Sequence, residues 1–256
     1  MALKTTLLFL ATGLGALAGP VYKKPTELPV RVIEGSSIDL TGLALPQANK
    51  AVLLYRSRLG EDGVNELIKE DVAAADTFWQ ETMAKSTGKF VGGTMRAQGY
   101  APHEIFNATS VGRWFILGGT GWPNDFLQTS PEHYLSLSGA GVHDKSTTLE
   151  SIENWGPGPI TYFKGMSEEK PAFFPALHEY PESAQSALAL QLKDGTTFAH
   201  SLTAFRDLPG GYGVEIFQGI WIPDGAPKEV LDGLTKHITV EFSNWLKLAY
   251  KMATAA

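Results

Sequence analysis

The chain of 256 residues contains no cysteine. That excludes disulfide staples, thiolate nucleophiles, cysteine-ligated zinc and iron–sulfur clusters together. A domain of this size with 43% hydrophobic residues buries enough surface to do without cross-links. Positive charge is also scarce. The 21 Lys and Arg face 27 Asp and Glu, giving a formal net charge of −6, and no basic run interrupts that balance. Nucleic acid and anionic membrane surfaces are therefore not expected partners, whereas a small anionic ligand needs only a few buried arginines. A membrane-spanning run is missing too. The apolar stretch Leu7–Leu17 has about eleven residues, against the roughly 20 that a span requires.

That stretch has a different meaning. Lys4 precedes it and Ala16-Leu17-Ala18 follows with the small-x-small pattern of signal-peptidase sites. Residues 1–18 are thus expected to be a signal peptide, with a mature start at Gly19 and a destination in the secretory pathway or outside the cell. In that setting Asn107-Ala108-Thr109 is a glycosylation sequon, with Asn107 as the acceptor.

Residues 19–45, with Pro20, Pro25 and Pro29 and a short β-like run over Val30–Ile33, read as an extended arm lying on one domain, 46–256. Helical periodicity starts near Pro46 and strengthens over Glu61–Lys85, where Val64, Leu67, Ile68, Val72, Ala75, Phe78, Trp79 and Met83 form an apolar stripe. Short β-like runs follow at Phe90–Met95, Arg113–Leu117 and Pro159–Lys164, divided by Gly- and Pro-rich loops. Ser186–Leu192 and Thr196–Phe205 flank the hairpin turn Asp194-Gly195, and Val214–Ile222 completes a three-stranded meander. Ala226-Pro227 opens a last helix whose buried stripe is Val230, Leu231, Leu234, Ile238, Phe242, Trp245, Leu246 and Ala249. The fold class is α+β: a curved antiparallel sheet wrapped by helices, with an N-terminal extension and a C-terminal helix.

Motifs that name a chemistry fail on inspection. Gly119-Thr120-Gly121 runs into Pro123, which forbids the helix a dinucleotide loop needs. Ser138 lacks the flanking glycines of a nucleophile elbow, and neither His103-Glu104 nor His178-Glu179 is followed by the second His of a zinc protease. No cofactor and no metal site is expected from motifs of this kind. His143-Asp144 is a loop pair able to act as base or ligand.

One strand face carries more. On Thr196–Phe205, Phe198, His200, Leu202 and Ala204 share a parity that Arg206 continues. A His and an Arg on an apolar face suit an anionic or enolisable small molecule, the Arg pairing with a carboxylate and the His serving as acid or base. Gln218 is the polar member of the apolar face of the next strand. Arg96 and Arg113 are further cationic candidates, and Trp155, between Asn154 and a Gly-Pro pair, is the aromatic placed at a site.

The leading helices, the meander of Leu188–Ile222 and the exported, cysteine-free chain together resemble fungal ketosteroid-isomerase-like (SnoaL-like) cyclases, which dimerise maleic anhydride monomers into maleidrides. The resemblance implies a cone-like, NTF2/SnoaL-like fold and a cofactor-independent cyclase or isomerase type of enzyme. Its reaction would form a ring on, or dimerise, an acidic polyketide-derived molecule. It places His200, Arg206, His178 and Tyr162 at the catalytic end, beside which Arg113, Arg96, Trp155 and Gln218, read from the sequence itself, are the substrate-binding candidates, and a homodimer is left open. The Tyr–Asp pair of true ketosteroid isomerases is not found. Hetero-Diels–Alderases that join tropolones to terpenes have a similar layout. Tyr212–Ile238 resembles instead the closing segment of periplasmic tricarboxylate-binding proteins, which implies a small-carboxylate-binding protein.

Overall fold

The computed structural model describes residues 27–36, 44–117, 124–137 and 149–255. The expected signal peptide, the loop 118–123 and the pair His143-Asp144 lie outside the described residues.

Eight strands form one antiparallel, curved sheet in the order β1-β2-β8-β7-β6-β5-β4-β3. They are β1 (Val30–Glu34), β2 (Phe90–Gly99), β3 (His133–Ser136), β4 (Leu149–Glu153), β5 (Thr161–Ser167), β6 (Gln185–Gln191), β7 (Thr197–Asp207) and β8 (Val214–Pro223). The helices are α1 (Ala44–Lys85), α2 (Ala108–Leu117), α3 (Asn124–Thr129) and α4 (Lys228–Ala255). Among the described residues, no helix is long and apolar enough to cross a membrane.

The meander β6–β7–β8 follows the predicted pattern, with Gly195 supplying the positive φ of +85° at its first turn. Part of the expected arm is more than an arm. Val30–Glu34 pairs with β2 as the edge strand. α1 breaks at Gly60, whose φ of 68° and ψ of 178° are not helical. In its second half Val64, Ile68, Val72, Ala75 and Trp79 are buried, but Leu67, predicted in the same stripe, is 71% exposed because it falls to one side of the line through 64, 68 and 72.

Arg113–Leu117 is helix, not strand. Its aromatic and β-branched residues suggested a strand, but the Asn107 side chain accepts from the Ser110 N–H (2.9 Å), an N-cap that starts α2. Trp114 and Phe115 then pack on Trp245, Phe205 and Phe242. Phe198 also departs from prediction. A register shift in β7 opposite Leu190/Gln191 turns it into the main core beside Trp79 and Trp155, whereas Leu202 and Ala204 pack on the opposite face with Phe217 and Trp221.

The main core lies between the sheet and the helices α1, α2 and α4. The other sheet face is covered by the segment 168–184, which seats Leu177 and Tyr180 over Phe217 and Trp221.

Candidate metal centre

On the helix-covered face, two short strands and one helix bring four buried ionisable side chains to a single point. His133 and Glu153 stand directly opposite each other on β3 and β4. A bulge after His133 separates them in orientation from the next pair. Leu135 and Ile152 pack against Val64, Ile68 and Val72 of α1, while His133 and Glu153 face α4. The helix contributes His237 and Glu241, whose four-residue spacing puts both on one side. A close loop–helix approach sets the depth. Gly156, with φ +63°, lies against Gly233 one turn before His237, and a Cβ there would come within 2.6 Å of the Gly233 Cα.

The ligand-type atoms of the four side chains all lie within 4.8 Å of one another. His133 Nε2 is 3.4 Å from His237 Nε2 and 3.5 Å from Glu153 Oε2. His237 Nε2 is 3.0 Å from Glu153 Oε2 and 3.5 Å from Glu241 Oε2, and His133 Nε2 is 3.9 Å from Glu241 Oε1. Four N and O ligands held about 2.1 Å from a tetrahedral ion stand about 3.4 Å apart. Five of the six separations, between 3.0 and 3.9 Å, lie around that value, Glu241 meeting the two imidazoles through different oxygens.

Its tautomers follow from the partners behind it. His133 Nδ1 lies 2.8 Å from the Phe126 carbonyl, and His237 Nδ1 lies 2.7 Å from Glu132 Oε2. Both oxygens only accept, so each Nδ1 carries hydrogen and each ring turns its Nε2 inward, as a lone pair on His133 and, until a cation displaces its proton, as an N–H on His237. The carboxylates are held as well. The indole N–H of Trp155 donates to Glu153 Oε2 (3.1 Å), and that of Trp245 donates to Glu241 Oε1 (3.2 Å). Phe126 also stacks on the His133 ring, centroids 4.0 Å apart. Every one of the four side chains has an outer partner that fixes it, the arrangement that orients metal ligands.

Burial lowers the His133 pKa below 6.5, with Glu153 and Glu241 offsetting only part of it. Burial works the same way on His237, but hydrogen bonds to Glu132, Glu153 and Glu241 outweigh it and raise that imidazole well above 6.5. Glu153, which burial alone would raise, is held below 4.5 by the two imidazoles and the Trp155 N–H.

The residues singled out from sequence fall elsewhere, with one exception. Trp155 is buried and holds Glu153. Gln218 is buried and hydrogen-bonds the hydroxyls of Ser201 and Thr203. Arg206 and Arg96 converge on the buried Glu215 of the other sheet face, at 2.7 and 3.8 Å, with Arg96 also reaching Glu179 at 2.8 Å. His200 Nδ1 meets Glu168 Oε1 at 2.8 Å, with the Phe90 ring edge-on at 4.7 Å. Six residues of extended strand separate His200 from Arg206, about 20 Å. His178 is exposed on the covering segment, and Tyr162 on β5 lies under Lys193, its Nζ 5.4 Å from the ring centre. Arg113 lies in α2, and the Asn107 Nδ2 donates to the His103 carbonyl (3.1 Å).

Sequence reading passed over His133, Glu153, His237 and Glu241. The usable signal was His237-x-x-x-Glu241 beside the buried stripe of α4. His133 and Glu153, on strands too short and polar to stand out, gave none.

No protein-family model and no curated protein matches the sequence. Among solved structures, the chain is similar to Ara h 8.0201 at 8% identity and a TM-score of 0.37, over 65% of this chain and all of that one. It is similar to an uncharacterized protein from Rhizobium leguminosarum at 17% identity and a TM-score of 0.30, over 64% and 97%. Likenesses at this level carry no argument about function.

Proposed function

We propose that the protein is a divalent-metal-dependent enzyme whose ion is held by His133, Glu153, His237 and Glu241. The observation that carries this is the convergence of two imidazole lone pairs and two carboxylates at tetrahedral spacing, each fixed from behind. Two lone pairs 3.4 Å apart repel unless a proton or a cation lies between them. Two buried carboxylates neutralise one divalent ion, which removes the cost of burying unpaired charge. The donor set favours catalysis over scaffolding. Structural zinc sites are rich in cysteine, whereas His and carboxylate ligands serve centres that activate water or polarise an oxygen of the substrate. Glu241 presents one oxygen to each imidazole and is the ligand best placed to shift and open a coordination position.

The test is metal content and titration of the whole chain. Protein stripped with a chelator should take up about one equivalent of Zn²⁺, Co²⁺ or Mn²⁺, and the H133A/H237A variant should take up none. Wild-type protein that binds none of the three in a saturable manner would refute the proposal.

A second reading keeps the cofactor-free cyclase on a cone-like, SnoaL-like fold. The His200–Glu168 pair among Phe90, Phe173 and Trp221 favours it, because a carboxylate-oriented imidazole on an apolar surface suits proton transfer. Deleting the gene in its host and comparing metabolite extracts tests it. An uncyclised monomer should accumulate, and an unchanged profile under producing conditions discards the reading. In either reading, export through residues 1–18 remains a proposal, checked by N-terminal sequencing that should begin at Gly19.

A further inference from the structure

Resting on the metal-centre reading, we propose that Glu132 is the positioning residue of the site. Its carboxylate commits His237 to bind the ion through Nε2 and strengthens it as a donor. The four outer partners are not equivalent. Phe126 offers His133 a neutral carbonyl, and Trp155 and Trp245 offer neutral N–H groups; Glu132 alone brings a charge. An anionic acceptor 2.7 Å from Nδ1–H pulls that proton toward itself, which raises electron density at Nε2. The contact is short, and its partner ring is fully buried.

Glu132 is itself held firmly. Its N–H donates to Ser130 Oγ at 3.2 Å, and its carbonyl accepts from the N–H of Asn154, the neighbour of Glu153, at 3.1 Å. The strand pair that supplies His133 and Glu153 thus also fixes the residue that orients His237. Its side chain is 30% exposed, the most solvent-accessible member of the group, so it can be changed without opening a cavity in the core.

Co²⁺ and Zn²⁺ are the probes, with the full chain as wild type, E132Q and E132A. Co²⁺ reports ligand geometry through its visible absorption, and competition with a chromophoric chelator gives Kd. We expect E132A to bind both ions about 10- to 100-fold more weakly, with an altered Co²⁺ spectrum. E132Q keeps an acceptor for Nδ1–H but not the charge. It should restore the wild-type spectral shape and lose affinity by about three- to tenfold. The urea midpoint of each metal-free variant reads the fold separately. Wild-type affinity in E132Q, or an E132A Kd within twofold of wild type, overturns the role of Glu132 and leaves the metal site standing. So does a loss of affinity that merely tracks unfolding. Failure of the wild-type chain to bind either ion overturns the role of Glu132, and failure to bind Mn²⁺ as well overturns the metal-site reading.

Discussion

The two faces of the sheet each bury a polar cluster, and they settle their charge differently. On the face under the segment 168–184, Glu215 is 2% exposed and accepts from Tyr180, Gln98 and Arg206, with Arg96 also near. Burial alone would raise its pKa, but these bonds and the Arg206 charge hold it below 4.5. That cluster carries its own cations and is complete. On the face under α4, Glu153 and Glu241 meet only imidazoles and indoles. Among the described residues, no lysine or arginine pairs with them. In the metal-free protein the positive charge of this cluster is the proton on His237, which a divalent ion can replace. The comparison separates a structural ion-pair network from the proposed metal site by charge balance, where counting buried polar groups would not.

The sharpest way to break this contrast is to supply the cation. Zn²⁺ at a free concentration of about 1,000 times Kd should stabilise the wild-type fold by about 4 kcal/mol, or about 8–16 °C in Tm. Calorimetry checks this, and the shift should vanish in H133A/H237A. An equal shift in that variant would place the ion elsewhere.

Removing the central carboxylate of the other cluster comes next. E215Q leaves Arg206 and Arg96 beside a buried neutral group and should cost about 3 kcal/mol in urea unfolding. That cost should be the same with and without Zn²⁺. Dependence on Zn²⁺ would mean the two faces are coupled.

The third prediction uses pH. In the metal-free protein the raised pKa of His237 contributes stability that is complete below pH 6.5 and disappears as pH rises through its folded-state value. His133, lowered, acts in the opposite sense, but its contribution is constant above 6.5. Above that pH His237 alone sets the slope within the cluster. The gap in urea midpoint between metal-loaded and metal-free protein, at fixed free Zn²⁺, should therefore widen from pH 6.5 to 8.5. A constant gap would show that the proton on His237 is not what the metal replaces.

The smallest effect belongs to a single hydrogen bond. W155F keeps most of the ring but removes the donor to Glu153, which is worth about 1.5–3 kcal/mol when the acceptor is charged. Zn²⁺ affinity should fall about tenfold, and Tm of the metal-free protein should fall as well, because the bond is made without the ion. Unchanged affinity would reduce Trp155 to a packing residue.

Much of the scaffold was legible in the sequence because periodicity reports burial. The α1 stripe from Val64 to Trp79, the strands β6–β8 around Asp194-Gly195, and α4 behind Pro227 all bury a regular apolar face. What escaped has one physical cause. β3 and β4 bury His133, Ser136, Ser151 and Glu153, polar residues that read as loop, and bulges at His133/Leu135 and Leu190/Gln191 break the two-residue period. On α4, His237 and Glu241 adjoin the apolar stripe, so the helix was legible and its ligands were not. Trp155 was singled out for its place in a Gly- and Pro-rich loop, and it does adjoin the site, as the residue that fixes Glu153.

The division of the ligands between a strand pair and a distant helix has a consequence for biogenesis. His237 follows Glu153 by 84 positions in the chain. At about 5–20 residues per second that interval lasts roughly 4–17 s of synthesis. In the proposed centre, His133 and Glu153 offer only two ligands throughout that interval. Under that proposal, capture waits until α4 has docked against Gly156. The proposed centre would then choose among competing ions with a finished geometry, through ligand type and spacing, and not as a nascent chain.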